Sequence, residues 1–106
     1  MTLAKPLHLD ELERFRKDIA EGRCLLLDVG ERGEYEGGHL PQATFMPLSQ
    51  VDRWSGELDK SCTVILYCRT QNRSRRCADL LAGLGFEDIY YLEGGYMTWS
   101  SRPSHH

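Results

Sequence analysis

The stretch Tyr67-Cys68-Arg69-Thr70-Gln71-Asn72-Arg73-Ser74 joins an apolar run to a helical pattern and thereby decides the fold. The run before it, Cys62–Tyr67, is almost entirely apolar and rich in β-branched residues, which is typical of a buried parallel strand. Ser74 begins a predicted helix, because apolar residues recur after it at helical spacing, namely Cys77, Leu80, Leu81 and Leu84. Cys68 is therefore predicted to start a loop between a buried strand and a helix.

Further strands are predicted on both sides of this unit. Cys24–Val29 is a second short apolar run, and Phe86–Leu92 is a third. A smaller strand is predicted over Ala43–Leu48, after a polar, turn-rich segment that covers Glu31 to His39. These runs predict the strands of one sheet.

Helices are predicted between the strands. Asp10 and Glu13 have the spacing of a capping box, and an amphipathic helix follows them as far as Gly22. A short irregular helix that carries Trp54 is predicted over Ser49–Leu58. Strands that alternate with helices in this way predict an α/β fold, a parallel sheet covered on both faces.

The length of the chain, 106 residues, suits one compact domain and leaves too little for a second core. We predict one domain over residues 1–103. The closing Ser104-His105-His106 is interpreted as a tail, which could be the start of a purification tag, and is excluded from any metal site.

Charge and hydropathy exclude several classes of partner. The net charge of −3 argues against a nucleic-acid or anionic-membrane partner, either of which would require a broad basic face. No apolar stretch approaches the roughly 20 residues that a membrane-spanning helix needs, and Met1–Asp10 lacks the features of a secretory leader. The four cysteines show no Cys-x-x-Cys spacing, so free thiols in a cytoplasmic protein are predicted rather than a zinc site or disulfides.

The position of Cys68 predicts a reactive thiol. A thiol is a nucleophile only as the thiolate, which backbone amides and the positive end of a helix favour. Arg73, Arg75 and Arg76 lie in the first turn of the predicted helix, where the macrodipole favours acidic residues instead. Such a cluster fits a cysteine that carries negative charge or meets an anionic substrate, although Arg75 and Arg76 are also explained by simple exposure to solvent.

Four blocks of the sequence together resemble the rhodanese family, and the resemblance runs from about Leu9 to Trp99. The second block is similar to the family pattern Glu-Tyr-x-x-Gly-His-Ile-Pro-Gly-Ala. In chain order, the blocks are Leu26–Val29, Glu34–Ala43, Tyr67–Ser74, and Leu92–Tyr96 with Trp99.

The resemblance implies a rhodanese-like fold, a five-stranded parallel sheet of order 1-5-4-2-3 flanked by helices on both faces. It also implies a sulfurtransferase in which Cys68 takes the outer sulfur of a donor such as thiosulfate. The resulting persulfide would pass its sulfur to cyanide or to a thiol, with glutathione and thioredoxin as possible acceptors. No metal or organic cofactor is implied.

The resemblance further assigns the substrate-binding loop. Its backbone amides would cradle the persulfide, and its members are Arg69, Thr70, Gln71, Asn72 and Arg73, followed by Ser74. Asp28 ends the neighbouring strand and is expected to support the loop by hydrogen bonding. His39 lies in a turn block and is interpreted as structural, while Cys24, Cys62 and Cys77 are predicted to be small core residues.

Two alternatives remain from the sequence. Gln71 stands where the family usually has glycine, and Gly30 where it usually has arginine, so a low-activity binding or regulatory module is the first alternative. A phosphatase or arsenate reductase is the second and is disfavoured. Relatives of that kind have histidine where this chain has Tyr67, and their loop arginine comes one residue later than Arg73.

Overall fold

The computed structural model describes residues 3–102, so the predicted tail Ser104–His106 lies outside the described residues. Its strands form one sheet, and every pair of neighbouring strands is parallel. In chain order, the strands are β1 (Lys5–Leu7), β2 (Cys24–Asp28), β3 (Thr44–Phe45), β4 (Thr63–Tyr67) and β5 (Asp88–Leu92). The spatial order β1-β5-β4-β2-β3 confirms the expected sheet.

The described part of the chain contains five α-helices, of which the first four connect successive strands and the fifth follows β5. They are α1 (Arg16–Ala20), α2 (Arg32–Gly37), α3 (Val51–Trp54), α4 (Asn72–Gly83) and α5 (Gly95–Ser100). Short 3₁₀ turns precede α1 over Leu9–Phe15 and flank α3 over Leu48–Gln50 and Ser55–Glu57. The longest helix, α4, follows the central strand β4 and is the helix that Cys68 leads into.

Alternation along β4 assigns Cys68 to one face of the sheet. Val64 and Leu66 pack with Cys68 in a core cluster that includes residues of α3 and α4. Ile65 and Tyr67 point the other way, into a cluster with the N-terminal turn and α5. Because side chains of a strand alternate between faces, Cys68 lies on the face of the sheet that α4 covers.

The structure corrects several predicted boundaries. Helix α4 begins at Asn72, two residues before the predicted start, so the last two residues of the predicted cysteine loop are already helical. The capping-box prediction for Asp10 and Glu13 was wrong, because the His8 N–H donates to Glu11 Oε1 and the Asp10 N–H to His8 Nδ1. The small strand is confined to Thr44–Phe45.

Three elements, β1, α2 and α5, were not predicted from the residue pattern. Strand β1 has only three residues and includes Pro6, so it shows no alternation. Helix α2 forms inside the segment that was interpreted as polar loop, and it contains two glycines. Its capping box pairs Glu31 with Glu34, and this spacing is the signal that could have found the helix.

Membrane-spanning helices and metal-binding clusters are absent from residues 3–102. None of the helices there is long and apolar enough to cross a membrane. Likewise, histidine, cysteine, aspartate and glutamate side chains in that range form no group of three that could hold a metal ion.

Candidate active site

Cys68 is the first residue after β4, and only 2% of it is exposed. Its Sγ lies 3.7 Å from the Oγ of Ser74, which is fully buried in the first turn of α4. The Ser74 hydroxyl donates to the carbonyl of Gln71 at 3.2 Å, so its lone pairs are directed toward the thiol. The thiol is thus held at the start of α4 beside a buried hydroxyl.

The carbonyl groups of the loop are turned toward α5. The Tyr96 N–H donates to Cys68 O at 2.8 Å, and the Met97 N–H donates to Arg69 O at 2.9 Å. Gly95 has φ +58°, and a Cβ atom there would overlap the carbonyl oxygens of Thr70 and Cys68. Glycine at this position therefore lets α5 approach the loop backbone closely.

The amide groups of the same loop remain available as donors. Within residues 3–102, no acceptor pairs with the backbone N–H groups of Thr70 to Ser74. No side chain caps the N-terminus of α4 either. Unpaired N–H groups at a helix start form an environment that favours an anion.

Gln71 occupies the position that the family resemblance assigns to glycine. Its φ is −148° and its ψ is −3°, so the backbone here lacks the positive φ that favours glycine. Its side-chain Oε1 accepts a hydrogen bond from the Gly94 N–H at 2.9 Å. Gln71 thus ties the cysteine loop to the turn before α5.

Glu34 of α2 binds both arginines of the loop. The Arg73 guanidinium forms a bidentate contact with the Glu34 carboxylate, at 2.7 Å and 2.8 Å. Arg69 donates to the Glu34 carbonyl at 3.2 Å, with its Nε 3.9 Å from the carboxylate. The Arg73 contact lowers the pKa of Glu34 to about 2, and the same contact raises the pKa of Arg73. The predicted positive ring around Cys68 is therefore partly neutralised.

No role was predicted for Glu34 from the sequence, although the block that contains it resembles the family. The signal that could have found it is charge balance. Two half-buried arginines in a tight loop need a carboxylate partner, and Glu34 is the first acid of the block that resembles the family. Spacing along the chain conceals this pair, because 39 residues separate Glu34 from Arg73.

Gly30 makes room for that carboxylate. A Cβ atom at Gly30 would lie 2.9 Å from Glu34 Oε1 and 3.2 Å from Asp28 Oδ1. Asp28 Oδ1 accepts from the Gly30 N–H at 2.9 Å, and its pKa is raised mainly by burial. The hydrogen bonds of Asp28 thus go to this turn and to Tyr67, the residue before Cys68.

Tyr67 links the cysteine strand to the block that contains His39. Its buried hydroxyl accepts from the Leu40 N–H at 3.0 Å. The His39 ring stacks on Tyr35, with ring centroids 3.9 Å apart, and its Nδ1 lies 2.9 Å from Tyr35 O. These contacts agree with the structural interpretation of His39.

The remaining residues that were predicted from the sequence differ in their exposure to solvent. Thr70 and Asn72 are exposed at the rim of the loop, as are Arg75 and Arg76 on α4. Cys24 and Cys77 are buried, and burial raises the pKa of both thiols to about 12. Cys62 differs from its prediction as a core residue, because it is partly exposed and its thiol donates to Arg23 O at 3.1 Å.

The chain belongs to the rhodanese-like domain family, whose model matches residues 11–102. This match includes the cysteine loop and all the elements that hold it. The family assignment made from the four sequence blocks is thereby confirmed.

Individual relatives agree with this assignment. The chain is 38% identical over 90 residues to the uncharacterized protein YqhL of Bacillus subtilis, covering 85% of this chain and 70% of YqhL. It is 31% identical over 95 residues to the thiosulfate sulfurtransferase GlpE of Coxiella burnetii, covering 89% of this chain and 84% of GlpE. The chain spans only about half the length of two further curated relatives, 48% and 50%.

A solved structure supports the fold. The human single-domain sulfurtransferase TSTD1 is similar with a TM-score of 0.78 at 22% identity, over 93% of this chain and 97% of TSTD1. Together with GlpE, the family match relates the chain to the sulfurtransferases.

Proposed function

We propose that this chain is a single-domain sulfurtransferase, folded over residues 1–103, in which Cys68 carries sulfur as a persulfide. The observation that carries the proposal is the orientation of the loop backbone. Carbonyls of Cys68 and Arg69 are bonded to α5, whereas the N–H groups of Thr70 to Ser74 have no acceptor in the described part of the chain. A persulfide anion on Cys68 would supply that acceptor.

The reaction consists of two displacements. In the first, the Cys68 thiolate attacks the outer sulfur of thiosulfate, a sulfur–sulfur bond forms, and the bond to the sulfonate breaks to release sulfite. In the second, cyanide or a thiolate attacks the outer sulfur of the persulfide. That sulfur is transferred to the attacking group, which leaves as thiocyanate or as a new persulfide. The Cys68 thiolate is regenerated, so no external oxidant or reductant is consumed.

Each group around the thiol has a separate role in this proposal. The loop amides stabilise the sulfur anion, whereas the Ser74 hydroxyl, which donates to the Gln71 carbonyl, accepts from the Cys68 thiol before that thiol ionises. Arg69 and Arg73, balanced by Glu34, leave one net positive charge near the loop for an anionic donor. The four free thiols are compatible with a reducing, cytoplasmic compartment.

The structure also bears on the two alternatives. A low-activity module was suggested by Gln71 and Gly30, but Gln71 bonds Gly94 and Gly30 makes room for Glu34. A phosphatase would need a loop arginine free to bind an oxyanion, whereas Arg73 is engaged by Glu34. The contacts of Gln71 and Gly30 explain how both departures fit the fold, and the engagement of Arg73 disfavours a phosphatase.

Sulfite release tests the proposal. Mixing the protein with thiosulfate in the absence of an acceptor is expected to release about one sulfite per chain, as a covalent half-reaction requires. Cys68→Ser should release none, and Cys62→Ser, which alters a partly exposed thiol elsewhere, should release as much as the unmodified chain. Absence of the burst, or its persistence in Cys68→Ser, would contradict the proposal.

A further inference from the structure

The outer surface of α4 carries a second feature that the sulfur chemistry at Cys68 does not use. A groove of about 450 Å³ begins at Asn72, which belongs to the cysteine loop, and continues along the helix. Its other lining residues are Arg75, Arg76, Asp79 and Leu80. We call this surface, together with Leu84 one turn further on, the α4 face.

The two arginines of the α4 face have no acidic partner. In the described part of the chain, no carboxylate lies within ion-pair distance of Arg75 or Arg76, including Asp79 in the same groove. Their one aromatic contact within residues 3–102 is that of the Arg75 guanidinium, which lies 5.9 Å from the ring centroid of Tyr91. Most arginines of residues 3–102 form ion pairs with acidic side chains. Arg75 and Arg76 do not, and because they are neighbours they form a local basic patch on a chain whose net charge is negative.

Apolar side chains extend this patch along the helix. Leu80 is 47% exposed and Leu84 is 50% exposed, although both are large aliphatic residues. They follow Asn72 and Arg76 at intervals of four residues, so Asn72, Arg76 and Leu80 lie on one side of α4, and Leu84, the residue after its end, extends that side. From Asn72 to Leu84, this side is about 18 Å long, which is longer than a small anion requires.

We propose that the α4 face docks an acidic polypeptide segment of a protein that exchanges sulfur with Cys68. The segment would place carboxylates against Arg75 and Arg76 and apolar side chains against Leu80 and Leu84. Arginine is enriched at protein interfaces, whose centres are more apolar than the rest of the surface, and opposite charge would orient the partner thiol toward the adjacent loop. This inference rests on the proposed sulfur transfer and names the partner chemistry.

Docking would act on the second displacement. The partner thiolate attacks the outer sulfur of the Cys68 persulfide, a new sulfur–sulfur bond forms on the partner, and the old bond breaks to leave the Cys68 thiolate. Charge attraction increases the rate at which the partner arrives and does not change the chemistry at sulfur.

The probes are three synthetic thiol peptides of equal length. One has glutamate and leucine around its cysteine, the second has lysine in place of glutamate, and the third has serine in place of leucine. The protein is first loaded with thiosulfate, the persulfide is verified by mass, and the excess donor is removed. The rate of sulfur transfer to each peptide is then measured in a single turnover, with uncharged 2-mercaptoethanol as the reference acceptor.

We expect the loaded chain to transfer sulfur to the acidic leucine peptide at least about tenfold faster than to the lysine peptide. The double variant Arg75→Glu and Arg76→Glu should lose or reverse this preference. It should still fold, because both side chains are exposed and acidic residues suit the N-terminal part of α4. Asp79→Asn should increase transfer to the acidic peptide, and transfer to 2-mercaptoethanol should stay within about twofold in all variants.

Arg53→Glu is the matched control, because Arg53 is exposed on α3 and also has no ion pair within residues 3–102. It should keep the preference for the acidic peptide. Persistence of the preference in the double variant would overturn the docking proposal, as would an equal loss in Arg53→Glu. Equal rates for the leucine and serine peptides would show that the α4 face binds only an anion, and would also overturn the docking proposal. Failure to form the persulfide would instead contradict the proposed function itself.

Discussion

The side-chain Oε1 of Gln71 accepts a hydrogen bond from the backbone N–H of Gly94 at 2.9 Å. This bond joins the fourth residue of the cysteine loop to the turn that begins α5. The same helix start binds the carbonyls of Cys68 and Arg69, so the loop is held to α5 at three places. A residue that the sequence presents as a departure from the family is thus part of the support of the loop.

Removal of the Gln71 amide should loosen this connection. Gln71→Ala leaves the half-buried Gly94 N–H without its acceptor, and we expect a loss of about 1 kcal/mol in the free energy of unfolding. Gln71→Glu keeps an acceptor oxygen and should retain most of that free energy. Urea unfolding of the three proteins measures the difference, and equal stability of Gln71→Ala and the unmodified chain would show that the bond is unimportant.

Substitution of Gly95 should damage both the fold and the site. A Cβ atom in Gly95→Ala would overlap the carbonyl oxygens of Thr70 and Cys68 at a backbone φ of +58°, so we expect a loss of more than about 2 kcal/mol. Gly83→Ala is the matched control, since nothing lies within 4 Å of its Cβ position in α4. It should stabilise the protein by up to about 1 kcal/mol. Thermal unfolding that ranks the two variants alike would refute the close approach of α5.

The contact between Glu34 and Arg73 should make stability depend on pH in the acid range. The folded state lowers the pKa of Glu34 from 4.5 to about 2, so the contact stabilises the fold fully above pH 4.5. That stability is lost as the pH falls from 4.5 to about 2. Since about a third of each side chain is exposed, we expect about 1 to 2 kcal/mol rather than the full value of the shift.

Glu34→Gln tests this window. At pH 7, the variant should be less stable than the unmodified chain by that amount, and the difference should shrink toward zero near pH 2. Glu36→Gln is the control, because Glu36 is exposed and its contact with Arg32 is 3.8 Å long. Urea unfolding at several pH values measures both variants, and a difference for Glu34→Gln that does not change with pH would be inconsistent with the contact.

Loss of the Tyr67 hydroxyl should destabilise the turn block beneath the site. Tyr67→Phe leaves the buried Leu40 N–H without an acceptor, at an expected cost of about 1 to 3 kcal/mol. Tyr35→Phe removes a hydroxyl whose only described hydrogen bond, to Ala43 O, is 3.5 Å long, so it should cost much less. Chemical denaturation compares the two, and a reversed order would contradict this role of Tyr67.

The central part of the fold could be predicted because it follows from continuous patterns. Apolar runs identify β2, β4 and β5, and the helical spacing after Ser74 identifies most of α4. The order of the strands came from the resemblance, since the pattern alone does not determine which parallel strands are neighbours. Short elements such as β1 and α2 escaped prediction because neither is long enough to show a period.

The support of the loop could be predicted less well, because it depends on contacts between residues that are far apart in the chain. The pairing of Arg73 with Glu34 spans 39 residues, and the bond from Gly94 to Gln71 spans 23. In the sequence, Gln71 is a departure from the family pattern. Its negative φ and the hydrogen bond that its side chain accepts from Gly94 explain how it fits the loop. The exposed state of Arg75 and Arg76 was anticipated, but the groove beside them was not.

The mass of the intact chain after exposure to thiosulfate tests the central claim most directly. We expect an adduct of about 32 Da, one sulfur atom, that a thiol reductant removes. It should form in Cys62→Ser and be absent in Cys68→Ser. An unmodified mass, or an adduct that persists in Cys68→Ser, would contradict the assignment of Cys68 as the sulfur carrier.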